Sequence, residues 1–112
     1  MLARRNRLTS GEEYRSTVRR GRRVVGSHTV TYIRASDSSD ARFGFIVAKN
    51  VGGAVVRNQV RRRLKAASYE LLSSTPAGLD VVIRALPEAS SQPYGVLFDE
   101  LSTSLRKGSV LA

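Results

Sequence analysis

The sequence predicts an α+β fold, a sandwich of strands packed against helices, and three patterns predict it. Residues 56–71 carry a 3.6-period apolar stripe of Val56, Val60, Leu64, Ala67 and Leu71. Runs dense in β-branched and aromatic residues, "RFGFIVAK" and "LDVVIRAL", precede and follow it. A second amphipathic stripe closes the chain. With 112 residues and 41% apolar content, one domain over 1–112 can bury a modest core.

Element by element, Thr9 and Ser10 each stand three residues ahead of a glutamate, Glu12 and Glu13, which is capping-box spacing. With Gly21 as a left-handed stop, a helix is expected over about Ser10–Arg20. Its apolar pair is Tyr14 and Val18, while Arg15, Arg19 and Arg20 crowd its far face and exit. Val24 to Ala35 reads as one strand, with His28, Val30, Tyr32 and Arg34 on one face and Thr29, Thr31 and Ile33 on the other. "SDSSD" is a turn, so a hairpin is expected to lead into "RFGFIVAK", whose apolar density suits a central strand.

Gly52-Gly53 then opens the longest helix, which ends near Ser73. "LDVVIRAL" completes a β-α-β unit. Pro93 suits the first turn of a last helix with the stripe Tyr94, Leu97, Phe98, Leu101 and Leu105, stopped by Gly108. Periodicity alone therefore gives the order α-β-β-α-β-α.

Nineteen Lys and Arg against nine Asp and Glu give a formal charge of +10, a self-repulsion that a polyanion would relieve. Nucleic acid is the leading partner. No run approaches the roughly 18 apolar residues of a membrane span, and residues 1–7 are too charged for a secretory signal, so the chain is expected to be cytoplasmic, with no membrane partner. Zero cysteines exclude disulfides, a thiolate nucleophile and Cys-ligated zinc.

The charge concentrates in "RNQVRRRLK", five cations in nine residues, within an acid-free run from Ala41 to Tyr69. On a helical wheel Asn58, Arg61, Arg62, Lys65 and Tyr69 lie opposite the apolar stripe, with Arg57 at its border. Most helical charge runs are solvated faces, but those mix Glu with Lys for i, i+4 pairing, whereas here like charges stack. That pattern favours phosphate binding. Arg63 falls beside the stripe, where its stem can pack on the core.

At Lys49-x-x-Gly52-x-Ala54-Val55-x-Arg57-Asn58-x-x-Arg61-Arg62-x-Leu64-Lys65 the chain resembles the protein component of bacterial ribonuclease P. The likeness extends to "RNRL", "EEY", "RFGFIVAK" and "LDVVIRAL", nearly the whole chain. It implies a ribosomal protein S5 domain 2-like sandwich, α-β-β-β-α-β-α, with an unusual left-handed β-α-β crossover, although most such units are right-handed. It also implies a subunit that binds the catalytic RNA and precursor tRNA, and assists Mg²⁺-dependent removal of the 5′ leader. The RNA and its bound Mg²⁺ carry the chemistry, so no residue of this chain is assigned as catalytic or as a metal ligand.

By that resemblance the catalytic-RNA contacts are Lys49, Arg57, Asn58, Gln59, Arg61, Arg62 and Lys65. Gln59 replaces a family arginine, and Arg63 one turn on is expected to compensate in part. The leader cleft, between the first helix and the sheet, corresponds to Tyr14, Val18 and Tyr32, where Val18 stands for a family aromatic and offers no stacking face. From the residues alone, half-buried tyrosines are ordinarily core. The family's Ala-Arg-Pro reads Ala85-Leu86-Pro87, with Arg84 a displaced replacement on the face of Leu86. Arg5, Asn6 and Arg7 belong to a basic arm, residues 1–8, that either lies along the RNA or orders on binding. Further RNA contacts are expected at Arg15, Arg19, His28, Arg34 and Arg84.

Other functions fit less well. His28 is the one histidine, and the carboxylates show no convergent pattern for a protein nuclease. "VGGAV" lacks both nucleotide-binding fingerprints, and nothing marks a helix-turn-helix, so neither a nucleotide cofactor nor DNA is expected. A basic RNA-binding module of another class, such as a ribosomal protein or RNA chaperone, fits the composition but not the ordered motif.

Overall fold

The computed structural model describes residues 1–111, with side chains through residue 109. Helix α1 (Gly11–Arg20) opens on a capping box: Ser10 Oγ accepts from the Glu13 amide at 3.1 Å, and Glu13 Oε1 accepts from the Ser10 amide at 3.2 Å. Ser10 and Glu13 thus form the box, not Thr9 and Glu12. Gly21 follows the helix in extended backbone, φ −74°, and is not the left-handed stop expected. Glycine is required there by proximity, since a Cβ would collide with the Thr17 carbonyl and the Ile33 backbone.

The single strand expected over Val24–Ala35 is two strands, β1 (Arg22–Val25) and β2 (Thr29–Ala35), paired antiparallel with Val25 opposite Val30. The Gly26 amide closes the turn on the Thr29 carbonyl at 2.8 Å. The sheet therefore has the four strands implied by the resemblance. Strand β3 (Arg42–Ile46) is followed by helix α2 (Ala54–Leu71), strand β4 (Leu79–Ala85) and helix α3 (Tyr94–Leu111).

The strand order is β1-β2-β4-β3, with β4 antiparallel to β2 and parallel to β3. Two expectations fail here. No hairpin joins β2 to β3, because β4 inserts between them, and β3 lies at an edge while β4 is central. The outer edge of β3 is covered by the N-terminal segment: Arg7 bridges to Phe43, and the Leu8 amide donates to the Phe43 carbonyl at 2.9 Å. A capped edge is protected from pairing with another chain.

Side-chain alternation sorts the sheet into two faces. Ile33, Phe43, Val81 and Ile83 pack with Val60, Leu64 and Ala67 of α2 and Leu97 and Leu101 of α3 in the main core. Val30, Tyr32 and Val82 form a smaller core with Leu8 under Tyr14 and Val18 of α1. Gly108 does not stop α3, which continues to Leu111; it lets the helix press on Ile33, whose Cδ1 a Cβ would overlap. Among the described residues no helix is long and apolar enough to cross a membrane.

The β1–β2 turn is fastened to α3 by Glu100. Its carboxylate accepts from the His28 amide at 3.0 Å, lies 2.9 Å from His28 Nδ1 and accepts from Thr29 Oγ1 at 2.5 Å. Burial disfavours the charge on Glu100, but the Thr29 and His28 hydrogen bonds outweigh it and hold the carboxyl below the usual range. A depressed carboxyl stabilises the fold fully above its unfolded value, near 4.3, and less as pH falls through the folded value. Glu100→Gln is expected to cost about 1–3 kcal/mol at pH 7 and clearly less at pH 3, read by thermal unfolding at both pH values. An equal loss at both would deny the charge a role.

Candidate nucleic-acid interface

The α2 face is set up by its entry. Lys49–Val51 forms a 3-10 turn, and Gly52 then takes φ 155°, a conformation open to glycine. No acid occupies the first turn of α2 and no side chain caps it. Val60, Leu64, Ala67 and Leu71 are buried, which turns Asn58, Gln59, Arg62 and Lys65 to the surface; Lys49 is exposed just before the helix. Arg61 is half-buried and donates through Nη1 to Asn58 Oδ1 at 2.9 Å, which holds its guanidinium along the helix.

Arg57 is half-buried, and its Nε is buried with no hydrogen-bond partner. Arg63 Nη1 donates to the Gln92 carbonyl at 3.2 Å, which anchors one arm of its guanidinium just ahead of α3. Among the described residues no salt bridge includes Lys49, Arg57, Arg61, Arg62 or Lys65. The face is preorganised and electrostatically uncompensated.

On the opposite side of the sheet, α1 overhangs a second surface. Tyr14 lies over Gly44 and its hydroxyl accepts from the Phe45 amide at 3.1 Å. Tyr14 and Val18 are half-buried, beside half-buried Ile46 and Leu86. Tyr32 is only 6% exposed. This corrects its expected role: Tyr32 belongs to the small core and forms the floor of the cleft, not an open stacking face. Arg84 stands in register with Val30 and Ile46 on this same face, half-buried, its Nε without a partner. It thus shares the face of Leu86, as strand alternation predicts.

The other expected contacts divide. Arg7 is exposed on the β3 edge, but Asn6 is buried and donates to the Ala41 carbonyl at 2.9 Å, so it fastens the N-terminal segment. With Leu2 and Leu8 also buried, that segment is packed and not a disordered arm. Arg5 lies 3.8 Å from Asp40, and Arg15 3.3 Å from Glu12; both remain exposed, as does Arg19. His28 sits in the β1–β2 turn against Glu100, not on the strand, and is directed to the α3 side. Arg34 lines a hollow of about 740 Å³ shared with Glu12, Glu13, Asp37 and Asp80, an environment of mixed charge.

Sequence reasoning missed the charge cluster beneath that hollow. Arg42 donates through Nε and Nη2 to both oxygens of buried Asp80, at 2.8 and 2.9 Å, and through Nη1 to Glu13 at 2.7 Å. The fork raises the Arg42 pKa, chiefly through the Asp80 hydrogen bonds. Glu13 is held below the usual range by the Thr9 amide and, further, by the Ser10 amide and Arg42. The cluster ties α1 to β3 and β4 and so fixes the cleft. Its signal is the register Arg42 opposite Asp80, which only the strand pairing reveals.

Comparison with known proteins follows the same lines. Residues 2–108 match the family model described as Ribonuclease P. The ribonuclease P protein component of Clavibacter michiganensis subsp. michiganensis is 49% identical over 108 residues, covering 96% of each chain. That of Kocuria rhizophila is 39% identical over 112 residues, covering 100% of this chain and 96% of its own. Among solved structures, a Staphylococcus aureus RNase P protein mutant superposes with TM-score 0.86 at 21% identity, over 93% of this chain and 88% of that one. The Thermotoga maritima RNase P protein gives 0.82 at 19% identity, over 90% and 96%.

Gly44→Ala tests how tightly α1 is seated, because a Cβ there would stand 2.6 Å from Tyr14 Cζ. A loss of about 1–3 kcal/mol is expected by denaturant unfolding. Adding Tyr14→Ala should recover part of it, and strict additivity of the two losses would reject the contact.

Proposed function

The chain belongs to the bacterial family of ribonuclease P protein components, and on that premise we propose that its α2 face binds the catalytic RNA while the α1 cleft binds the 5′ leader of precursor tRNA. As a family member it is a subunit of an endoribonuclease holoenzyme of tRNA processing and a partner of ribonuclease P RNA. The observation that carries the finer reading is the uncompensated cation face of α2, where Arg57, Asn58, Gln59, Arg61, Arg62 and Lys65 extend the positive entry at Lys49. Planar guanidinium forks suit paired phosphate oxygens.

In this reading the chain contributes electrostatics and position. Its cations offset repulsion between two polyanions, and the α1 cleft holds the leader against Tyr14 and Val18 over the Tyr32 floor, with Arg84 beside it. The hydrolysis belongs to the RNA with its Mg²⁺. Mg²⁺ is assigned to the RNA partner, and the chain's part is to lower the amount needed. The complex is placed in the cytoplasm, where precursor tRNA is made.

The test is cleavage of 5′-labelled precursor tRNA at low Mg²⁺ by a bacterial ribonuclease P RNA, with and without the protein, beside protein alone. Cleavage at the mature 5′ end is expected to be stimulated only with both present, and the stimulation to shrink as Mg²⁺ rises. Cutting by protein alone would overturn the assignment of chemistry to RNA.

Two substitutions separate the surfaces. Arg61→Ala with Arg62→Ala should weaken binding to the catalytic RNA by about 1.5–3 kcal/mol per lost charged contact and flatten the salt dependence by about one unit per lost phosphate contact. Unchanged affinity and slope would reject the α2 assignment. Tyr14→Leu should spare assembly and weaken leader-bearing precursor tRNA by about 1–3 kcal/mol, relative to mature tRNA. Tyr32→Ala is unsuited to this comparison, because removing a ring buried this deeply costs about 3–5 kcal/mol of stability.

A further inference from the structure

Tyr69 stands at the C-terminal end of the α2 cation face and has no role in the contacts assigned above. It is 52% exposed, an uncommon place for a ring, and its neighbours on α2 are Arg62, Lys65 and Ala66. Residues 62, 65, 66 and 69 follow i, i+3, i+4 and i+7, so they make one stripe along the helix. Facing them, Arg7 and the buried Leu2 of the N-terminal segment close a hollow of about 360 Å³, most of whose wall is apolar.

An apolar hollow with an aromatic at one end and three cations around it has the chemistry of a nucleotide site. The Tyr69 ring offers a face to a base, and Arg7, Arg62 and Lys65 offer charge to its phosphates. None of the three cations has a salt-bridge partner among the described residues. Glu70 also borders the hollow, yet its carboxylate accepts from Tyr94 Oη at 2.9 Å. That contact directs one Glu70 oxygen toward α3.

We propose that this hollow is a docking site for a single unpaired nucleotide of the catalytic RNA, its base stacked on Tyr69 and its flanking phosphates held by Arg7, Arg62 and Lys65. The occupant is assigned to the catalytic RNA because Arg62 and Lys65 are shared with the α2 face. The inference rests on the reading of that face as the RNA-binding surface. It adds a shape-selective contact to a charge-driven one: an aromatic platform accepts a base extruded from the stack and gives nothing to a continuous duplex.

The chain contains no tryptophan, so Tyr69→Trp places a unique fluorophore in the hollow. Its emission is expected to change on saturation with ribonuclease P RNA and to change much less with a fully paired RNA duplex of equal charge. Tyr69→Ala, at an exposed position and with folding checked by circular dichroism, should weaken binding to ribonuclease P RNA about 5- to 150-fold, equivalent to about 1–3 kcal/mol, with the salt slope unchanged. Tyr69→Phe should retain wild-type affinity.

Wild-type affinity of Tyr69→Ala, while Arg61→Ala with Arg62→Ala still weakens binding, would overturn this site alone. Unchanged RNA affinity together with a loss specific to leader-bearing precursor tRNA would overturn the assignment to the catalytic RNA. Failure of the wild-type chain to bind ribonuclease P RNA would overturn the reading of the α2 face and this inference with it.

Discussion

Strand β4 is paired along both edges, antiparallel to β2 and parallel to β3, and the rest of the molecule depends on that double pairing. Val81, Val82 and Ile83 are fully buried there. Alternation sends Val81 and Ile83 to the helices α2 and α3, and Val82 and Arg84 to α1. One seven-residue segment therefore fixes two cores at once. It also fixes the rotation of α2: with Val60, Leu64 and Ala67 held against the main core, the cations can face only outward.

The acids are distributed to match. Glu13 and Asp80 share Arg42, Glu100 secures the β1–β2 turn, Glu12 meets Arg15, Asp40 meets Arg5, and Glu70 accepts from Tyr94. That last contact, behind burial as the larger cause, pushes the Tyr94 hydroxyl up to about 12. Glu12 acts within α1, the other five of these six carboxylates fasten one segment to another, and none forms a salt bridge with the cations of the α2 face. Self-repulsion on that face weakens the free protein, and a bound polyanion removes it. An anion that binds that face therefore stabilises the fold as it binds.

How much of this was legible follows from which interactions are local. The capping box of α1, the α2 stripe and the basic face depend on spacings of three and four residues, and the structure reproduces them. Local patterns cannot rank competing partners in a sheet. The density of "RFGFIVAK" suggested a central strand, but β3 lies at an edge that the N-terminal segment covers in part, and Phe43 and Gly44 are buried there while Arg42, Phe45 and Ile46 are half-buried. The period-2 pattern ran across Gly26-Ser27 because β-branched residues flank the turn on both sides. Gly21 and Gly108 were read as helix stops on general preference, whereas Gly21 is required chiefly by the Thr17 carbonyl, with Ile33 beside it, and Gly108 by the Ile33 side chain, distant in sequence. At the site, spacing placed Arg62 and Lys65 on the surface and Arg61 at its half-buried margin, but could not see that Tyr32 lies beneath α1 or that Asn6 is buried. Both depend on pairings between segments far apart in the chain.

The two surfaces lie on opposite faces of the sheet, so one ligand can reach both only around an edge. The edge that connects them is β3. There a hollow is lined by Arg4, Arg7 and Lys65 together with Tyr14 and Phe45, side chains drawn from the N-terminal segment, α2, α1 and the strand itself. Arg7 is held at this seam by its bridge to Phe43, and the segment is anchored from below by Leu2, Asn6 and Leu8. Covering a strand edge is one way a sheet avoids pairing with another chain. Here the cap is made of a basic segment, so the element that closes the edge also sets Arg4 and Arg7 between Tyr14 of the α1 cleft and Lys65 of the α2 face.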